Sequence, residues 1–257
     1  MIRPHTRPHH PSARRGASAR TLRIIGGTWR GRRLRFPPSP EIRPTPDRVR
    51  ETLFNWLAAR VPGARCLDLF AGSGALGLEA LSRGASHVTF VERDLAAAHE
   101  ISARLTEWGA RGANVEHSDA RRFLEQTPSA PFDIVFLDPP FASTLVDETA
   151  ARLEQGGWLA DNALIYVESP ADTVASTPAA GAKRHADAAA NSPSSSASSP
   201  AASAKSLPTG VKRPASAAKE PAGAAPRVPE SWTPLKTKQA GEVGYHLYSR
   251  ARGTHIE

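Results

Sequence analysis

Between residues 66 and 168 five short apolar runs alternate in strict succession with four segments of helical pattern. Cys66–Phe70 reads as a strand, followed by a helix from about Ala75 to Ser82. Val88–Glu92 precedes a helix from Asp94 to Trp108, and Asn114–His117 precedes a short helix near Ala120–Glu125. Phe132–Leu137 leads to a helix near Thr144–Glu154, and Ala163–Glu168 is a fifth strand. Such alternation predicts a parallel sheet covered by helices on both faces. Right-handed crossovers make it doubly wound, so ligands bind outside the carboxyl ends of its strands. Every loop of chemical interest leaves one of those ends.

The flanks read differently. Leu22-Arg23-Ile24-Ile25, a Gly26-Gly27 turn and an Arg-dense Trp29–Phe36 predict a hairpin, ended by Pro37-Pro38-Ser39-Pro40. A helix is predicted from Thr45, with Pro46 in its first turn and Asp47 favourable to its dipole. Val49, Leu53, Trp56 and Leu57 form its apolar stripe, with Arg48 outside the stripe and Arg50 beside it. Pro62-Gly63 closes this segment. Residues 171–226 are about one third Ala, with Ser, Pro and scattered Lys and Arg. So few large apolar groups cannot offset the entropy of ordering, and the segment is expected to be a disordered insertion. Order is expected to resume with Trp232–Lys238, a turn over Gln239-Ala240-Gly241-Glu242, and Val243–Arg250, a pair of strands completing the sheet. The expected organisation is therefore a basic tail (1–21), a hairpin-and-helix extension (22–62), a central domain (63–170), the insertion (171–226), closing strands (227–250) and a short tail (251–257).

Charge narrows the partners. The 257 residues carry a formal net charge of +8, and residues 1–60 hold fourteen Arg against Glu41, Asp47 and Glu51. An arginine-rich excess of this kind points to a polyanion, gripped by bidentate phosphate contacts and base stacking. The lone cysteine, Cys66, has no internal disulfide partner, which fits a reducing cytoplasm. No apolar stretch reaches the roughly 18–20 residues that a membrane span needs. Residues 1–20 are basic and acid-poor like a transit peptide, but they lack an amphipathic period and an apolar h-region, and read as a disordered basic tail.

The loop after the first strand, Asp68-Leu69-Phe70-Ala71-Gly72-Ser73-Gly74, continues through Gly77 as G-x-G-x-x-G, with Glu92 twenty residues after Gly72. Alone this pattern fits a dinucleotide as well as other nucleotide-like cofactors. Asp68 separates the readings: a carboxylate there repels a pyrophosphate and suits the ammonium of an amino-acid moiety. Glu92 is placed to accept hydrogen bonds from ribose hydroxyls. Asp119, after the third strand, faces either an adenine amine or the start of its own helix as a cap. Phe70, Ser73 and Ala120 are assigned to the same cofactor site, and no metal is expected.

The loop after the fourth strand, Asp138-Pro139-Pro140-Phe141, supplies the other half. The amine of a purine is a poor nucleophile because its lone pair is delocalised into the ring. Acceptors for both N–H groups localise that lone pair and aim it. Asp138 offers a side-chain acceptor, Pro139-Pro140 fixes a main-chain carbonyl without competing N–H groups, and Phe141 gives a flipped-out base a stacking surface. The two loops together predict methyl transfer from S-adenosylmethionine to a nucleobase nitrogen, driven mainly by orientation because the sulfonium is already activated.

Several blocks resemble one family. Arg23–Gly31, Arg43-Pro44-Thr45-Pro46-Asp47-Arg48-Val49-Arg50-Glu51-Thr52-Leu53-Phe54-Asn55, Asp68–Gly74, Asp138–Phe141, Gly157-Trp158-Leu159, Ile165–Ser169 and Gly244–Tyr248 are similar to RsmD, the bacterial 16S rRNA guanine-966 N2-methyltransferases. The resemblance spans about 22–170 and 228–250. It implies a Rossmann-like class I methyltransferase, α/β with a seven-stranded, mostly parallel doubly wound sheet and an N-terminal β-hairpin extension. It also implies S-adenosylmethionine at Asp68, Gly72, Gly74 and Glu92, and the target guanine at Asp138–Phe141. Arg23, Arg30, Arg32, Arg33, Arg35, Arg43, Arg48 and Arg50 are expected to contact 16S rRNA of the small subunit or an assembly intermediate. The protein is expected to be a cytoplasmic monomer. Three rival readings remain: an adenine N6-methyltransferase acting on DNA or RNA, a nicotinamide-dependent oxidoreductase, and a noncatalytic ribosome-assembly factor.

Overall fold

The computed structural model describes residues 20–36, 45–140, 145–170 and 226–251. The expected basic tail, the insertion and the last tail lie outside the described residues, apart from 20–21, 226 and 251; so do Arg43 and Phe141. For Arg20, Arg35 and Phe36 only the backbone is described.

The elements run β1 (Arg20–Arg23), β2 (Arg33–Phe36), α1 (Asp47–Trp56), β3 (Arg65–Asp68), α2 (Ala75–Ser82), β4 (His87–Glu92), α3 (Leu95–Glu107), β5 (Ala113–His117), α4 (Ala120–Phe123), β6 (Phe132–Leu137), α5 (Leu145–Gln155), β7 (Leu159–Pro170), β8 (Trp232–Ala240) and β9 (Val243–Arg250). Strands β3–β9 form one seven-stranded sheet in the order β5-β4-β3-β6-β7-β9-β8. The first five of that order are parallel, and β9 pairs antiparallel with both β7 and β8. Side chains alternate between the two faces. Cys66, Ile134, Phe136, Leu164 and Tyr166 pack with α1, α2, α3 and the β1–β2 ribbon, whereas Leu67, Val135, Leu137, Ile165 and Val167 pack with α4 and α5. Burial on both faces explains why these strands read as continuous apolar runs.

The closing pair is tighter than expected. Ala240 and Val243 pair directly, so only Gly241 and Glu242 turn, with Gly241 at φ +63°. A two-residue connection of this kind keeps two more ladder pairs than the four-residue turn. Strand β7 starts earlier than Ala163, because a register shift opposite Phe132 and Ile134, with Asn162 at φ +58°, extends the pairing back to Leu159.

The N-terminal ribbon departs more. Gly26-Gly27 does not turn the hairpin. The strands pair only as Arg20↔Phe36 through Arg23↔Arg33, and residues 24–32 form a longer loop closed by Ile24 N–H to Arg32 O at 2.9 Å. That loop docks on the end of α2. Glu79 accepts Ile25 N–H and Gly26 N–H, both at 2.8 Å, Ser82 O accepts Thr28 N–H at 2.8 Å, and Ser82 Oγ accepts Trp29 N–H at 2.9 Å. Gly27, at φ +74°, lies so close that a Cβ would sit 1.8 Å from Ser82 O. Leu22, Ile24 and Leu34 are buried beneath the ribbon, each worth about 1.5–3 kcal/mol of transfer free energy.

Helix α1 begins at Asp47, with Pro46 at its N-cap in an extended conformation. Arg50 corrects a sequence expectation: it is fully buried and cannot meet RNA. Its Nη2 donates to Arg23 O at 2.9 Å and to Asp47 Oδ1 at 2.7 Å, and its Nη1 lies 3.8 Å from Glu79 Oε2. The helical wheel placed Arg50 beside the apolar stripe, but the ribbon and α2 cover that flank as well, and Glu79 supplies the charge that lets a guanidinium stay there.

Candidate functional site

Parity along the strands brings three acids to one place. Asp68 ends β3 on the face of Cys66, Asp138 follows β6 on the face of Phe136, and Glu168 lies in β7 on the face of Tyr166. The register Asp68↔Phe136 and Leu137↔Val167 makes 68, 138 and 168 near neighbours at the carboxyl ends of adjacent strands. They line a cleft of about 410 Å³ with Phe70, Gly72, Ser73, Glu92, Asp119, Ala120, Pro139 and Pro140. That volume falls within the roughly 300–1,000 Å³ of small-molecule sites.

On the glycine-loop side, Asp68 Oδ2 accepts the Gly77 N–H at 2.9 Å. Desolvation pushes the Asp68 carboxyl up to about 7, opposed by the Gly77 hydrogen bond and reinforced by the Glu92 carboxylate. Glu92 bridges the loop to the next helix: Oε2 accepts Gly72 N–H at 2.6 Å and Oε1 accepts Asp94 N–H at 2.7 Å. Each oxygen keeps a further acceptor direction. Gly74 is the N-cap of α2 and does not line the cleft. Gly77 has a packing role, since a Cβ there would sit 2.2 Å from the Phe90 ring. Asp119 caps α4 through Arg121 N–H at 2.9 Å while still lining the cleft. Its hydrogen bonds from Arg121 hold its carboxyl below the usual range.

On the other side, Thr45 Oγ1 donates to Asp138 Oδ2 at 3.4 Å, and Tyr166 O–H donates to Glu168 Oε1 at 2.7 Å. Burial raises the carboxyls of the neighbouring pair Asp138 and Glu168; Glu168 and Asp68 push Asp138 up further, whereas the hydrogen bond from Tyr166 and the contact with Asp138 hold Glu168 down. Two adjacent carboxylates cannot both ionise cheaply, so the pair favours sharing one proton. Sequence reading missed Thr45, Tyr166 and Glu168 as site residues. Their visible signal was only a strand ending in an acid, as β3 and β4 do. Burial pushes the Cys66 thiol up, so it is a packed group and not a nucleophile.

The arginines divide by exposure. Arg23, Arg30, Arg32, Arg33 and Arg48 are exposed, with Arg23 Nε 3.0 Å from Asp47 Oδ2 and Arg32 stacked 5.5 Å over Trp108. Arg50 is in the core, and the side chains of Arg35 and Arg43 lie outside the described residues. Among the described residues no cluster of His, Cys, Asp and Glu could hold a metal ion.

A family model described as conserved hypothetical protein 95 matches residues 22–192. Ribosomal RNA small subunit methyltransferase D of Escherichia coli K12 is 53% identical over 229 residues, 89% of this chain and 90% of its own length. The chain belongs to the RsmD family. The Haemophilus influenzae member is 47% identical over 160 residues, 61% of this chain and 83% of its own. Among solved structures, yhhF of Escherichia coli is 42% identical and covers 90% of this chain and 98% of its own, with a TM-score of 0.64. A Haemophilus influenzae protein is 36% identical, with 90% and 99% coverage and a TM-score of 0.60. The chain thus has a Rossmann-like class I methyltransferase fold, with a seven-stranded, mostly parallel sheet and a two-stranded N-terminal ribbon.

Proposed function

We propose that this protein, an rRNA methyltransferase by family, transfers a methyl group from S-adenosylmethionine to the N2 amine of guanine 966 in 16S rRNA, within the small subunit or its assembly intermediate. The observation that carries the proposal is the opening of the Asp68 and Asp138 loops onto one cleft from adjacent strands. The residues fit the donor. Asp68 offers a buried carboxyl to the ammonium, Glu92 offers acceptors to the ribose hydroxyls, and Asp119 with Ala120 borders the adenine position. Phe70, Gly72 and Ser73 form the wall between them, with Gly74 setting the loop as the cap of α2. When bound, S-adenosylmethionine supplies the electrophilic methyl.

A nicotinamide dinucleotide fits less well, since the Gly77 amide in the first turn of α2, where a pyrophosphate would seek a donor, is held by Asp68. Asp138 accepts one N–H of the target amine, a carbonyl of the Pro139-Pro140 step accepts the other, and Phe141 stacks on the base. Arg23, Arg30, Arg32, Arg33 and Arg48, with Arg35 and Arg43, form the proposed rRNA surface. The proposed form is a cytoplasmic monomer; among the described residues no helix is long and apolar enough to cross a membrane. The relatives are named for small-subunit rRNA, and the choice of guanine over adenine rests on the sequence resemblance to the family. Mass mapping of 16S rRNA from cells lacking the protein tests it: loss of methylation at guanine 966 alone is expected, and loss at an adenine would overturn it.

A further inference from the structure

One acid in the cleft has no part in the proposed grip on donor and base. Glu168 is 3% exposed, borders the cleft and lies one residue past the Leu137↔Val167 pair, beside Asp138. The groups facing these two carboxyls are Asp68 from β3, Thr45 from the segment before α1, Tyr166 from β7, and Tyr245, which pairs with Glu168 from β9. Among the described residues these neighbours are acids and hydroxyls, with no Arg or Lys in an ion pair with Asp138 or Glu168. A buried carboxylate without a cation persists only if donors surround it. Glu168 receives the short hydrogen bond of the buried Tyr166 hydroxyl, at 2.7 Å. Asp138 receives only the long contact from Thr45 and is the member nearer the Pro139-Pro140 step.

We infer that Glu168 is the positioning residue behind Asp138: it holds the negative charge of the pair and receives, through Asp138, the proton that leaves the target amine. The inference rests on the proposed amine methylation. The step balances. The amine nitrogen attacks the methyl carbon, the N–C bond forms, and the C–S bond breaks with its electron pair retained by sulfur. The amine proton passes to Asp138 while the proton of Asp138 passes to Glu168, so a monoanionic pair and a sulfonium become a neutral pair and a thioether. Tyr166 keeps Glu168 ionised until that moment, because its hydrogen bond favours the charged form.

The test is single-turnover methylation of small subunits from cells lacking the protein, followed from about pH 5.5 to 9 with the full chain and its variants. Glu168→Gln preserves shape and an acceptor for Tyr166, and is expected to slow methyl transfer by about tenfold or more while S-adenosylhomocysteine affinity stays within about twofold. Tyr166→Phe removes a donor to Glu168, so its acidic limb is expected to move to higher pH, with the rate recovering towards wild type at the alkaline end. A merely structural role would depress the rate equally at every pH. A Glu168→Gln rate within about twofold of wild type, or an unmoved limb in Tyr166→Phe, overturns the inference; should Glu168→Gln fail to fold, the Tyr166→Phe limb alone decides. Mapping the nucleotide methylated by the wild-type protein tests the guanine reading separately, since the limb is read on whichever amine is methylated.

Discussion

Asp68 is poised near neutrality by its surroundings. The free fold favours its protonated form, since its value of about 7 lies above the ordinary 3.8. Its contribution to stability is therefore complete below about pH 4 and is lost as pH rises through 7. A bound ammonium reverses the preference, so ligand binding must expel the proton. We predict that S-adenosylhomocysteine affinity is flat above about pH 8 and falls by up to about tenfold per unit below about pH 6. Calorimetry in buffers of different ionisation heat would show proton release over the same range, and an affinity independent of pH would refute this. Asp68→Asn keeps an acceptor for Gly77 N–H. It is expected to raise the melting temperature of the free protein at pH 8 and to weaken S-adenosylhomocysteine by about tenfold or more. Asp68 and Asp138 were legible as residues because each ends an apolar run. Glu168 ends one too, but its role depends on the Tyr166 hydroxyl and on sheet register, which no local pattern encodes.

At the scale of elements, the hairpin, α1 and α2 behave as one unit joined through Glu79. This carboxylate takes two ribbon amides, Arg83 Nε at 2.7 Å, and the charge of Arg50. Glu79→Ala leaves two ribbon amides unpaired and the buried Arg50 guanidinium with Asp47 as its remaining carboxylate, and about 3–5 kcal/mol of destabilisation is expected in denaturant unfolding. A loss below about 1 kcal/mol would show that Arg50 finds other compensation. Gly27→Ala should instead loosen the ribbon alone: faster hydrogen exchange at Ile25, Gly26 and Thr28, with the amides of β3 and β6 unchanged. Uniform protection across all of them would contradict the docking. The hairpin was legible from its glycines and arginines. Its turn was misplaced because the glycines serve the contact with α2, more than fifty residues away in the chain.

Across the whole molecule, β9 lies between β7 and β8, so the sheet closes only with residues from the far side of the 171–226 segment. Replacing 171–225 with a short flexible linker is expected to preserve a single cooperative transition by circular dichroism. Ending the chain at residue 170 should abolish it, by uncovering the β7 edge and Tyr166. A cooperative truncated chain would refute this. The exposed ribbon arginines have a long-range effect: Arg32→Ala with Arg33→Ala should lower the slope of log affinity against log salt by about 0.7–0.9 for each phosphate no longer neutralised. An unchanged slope would place the RNA surface elsewhere.

The sequence by itself determined the α/β class, the parallel winding, the strand-end loops and the methyl-transfer chemistry, because strand periodicity and loop residues act over a few neighbouring positions. Tertiary structure alone decided that Arg50 belongs to the core, that Gly27 and Gly77 serve close packing, and that Asp138 has Glu168 at its back. Those outcomes depend on which charge and which wall lie opposite a side chain. Register and docking set that, across tens of residues of separation.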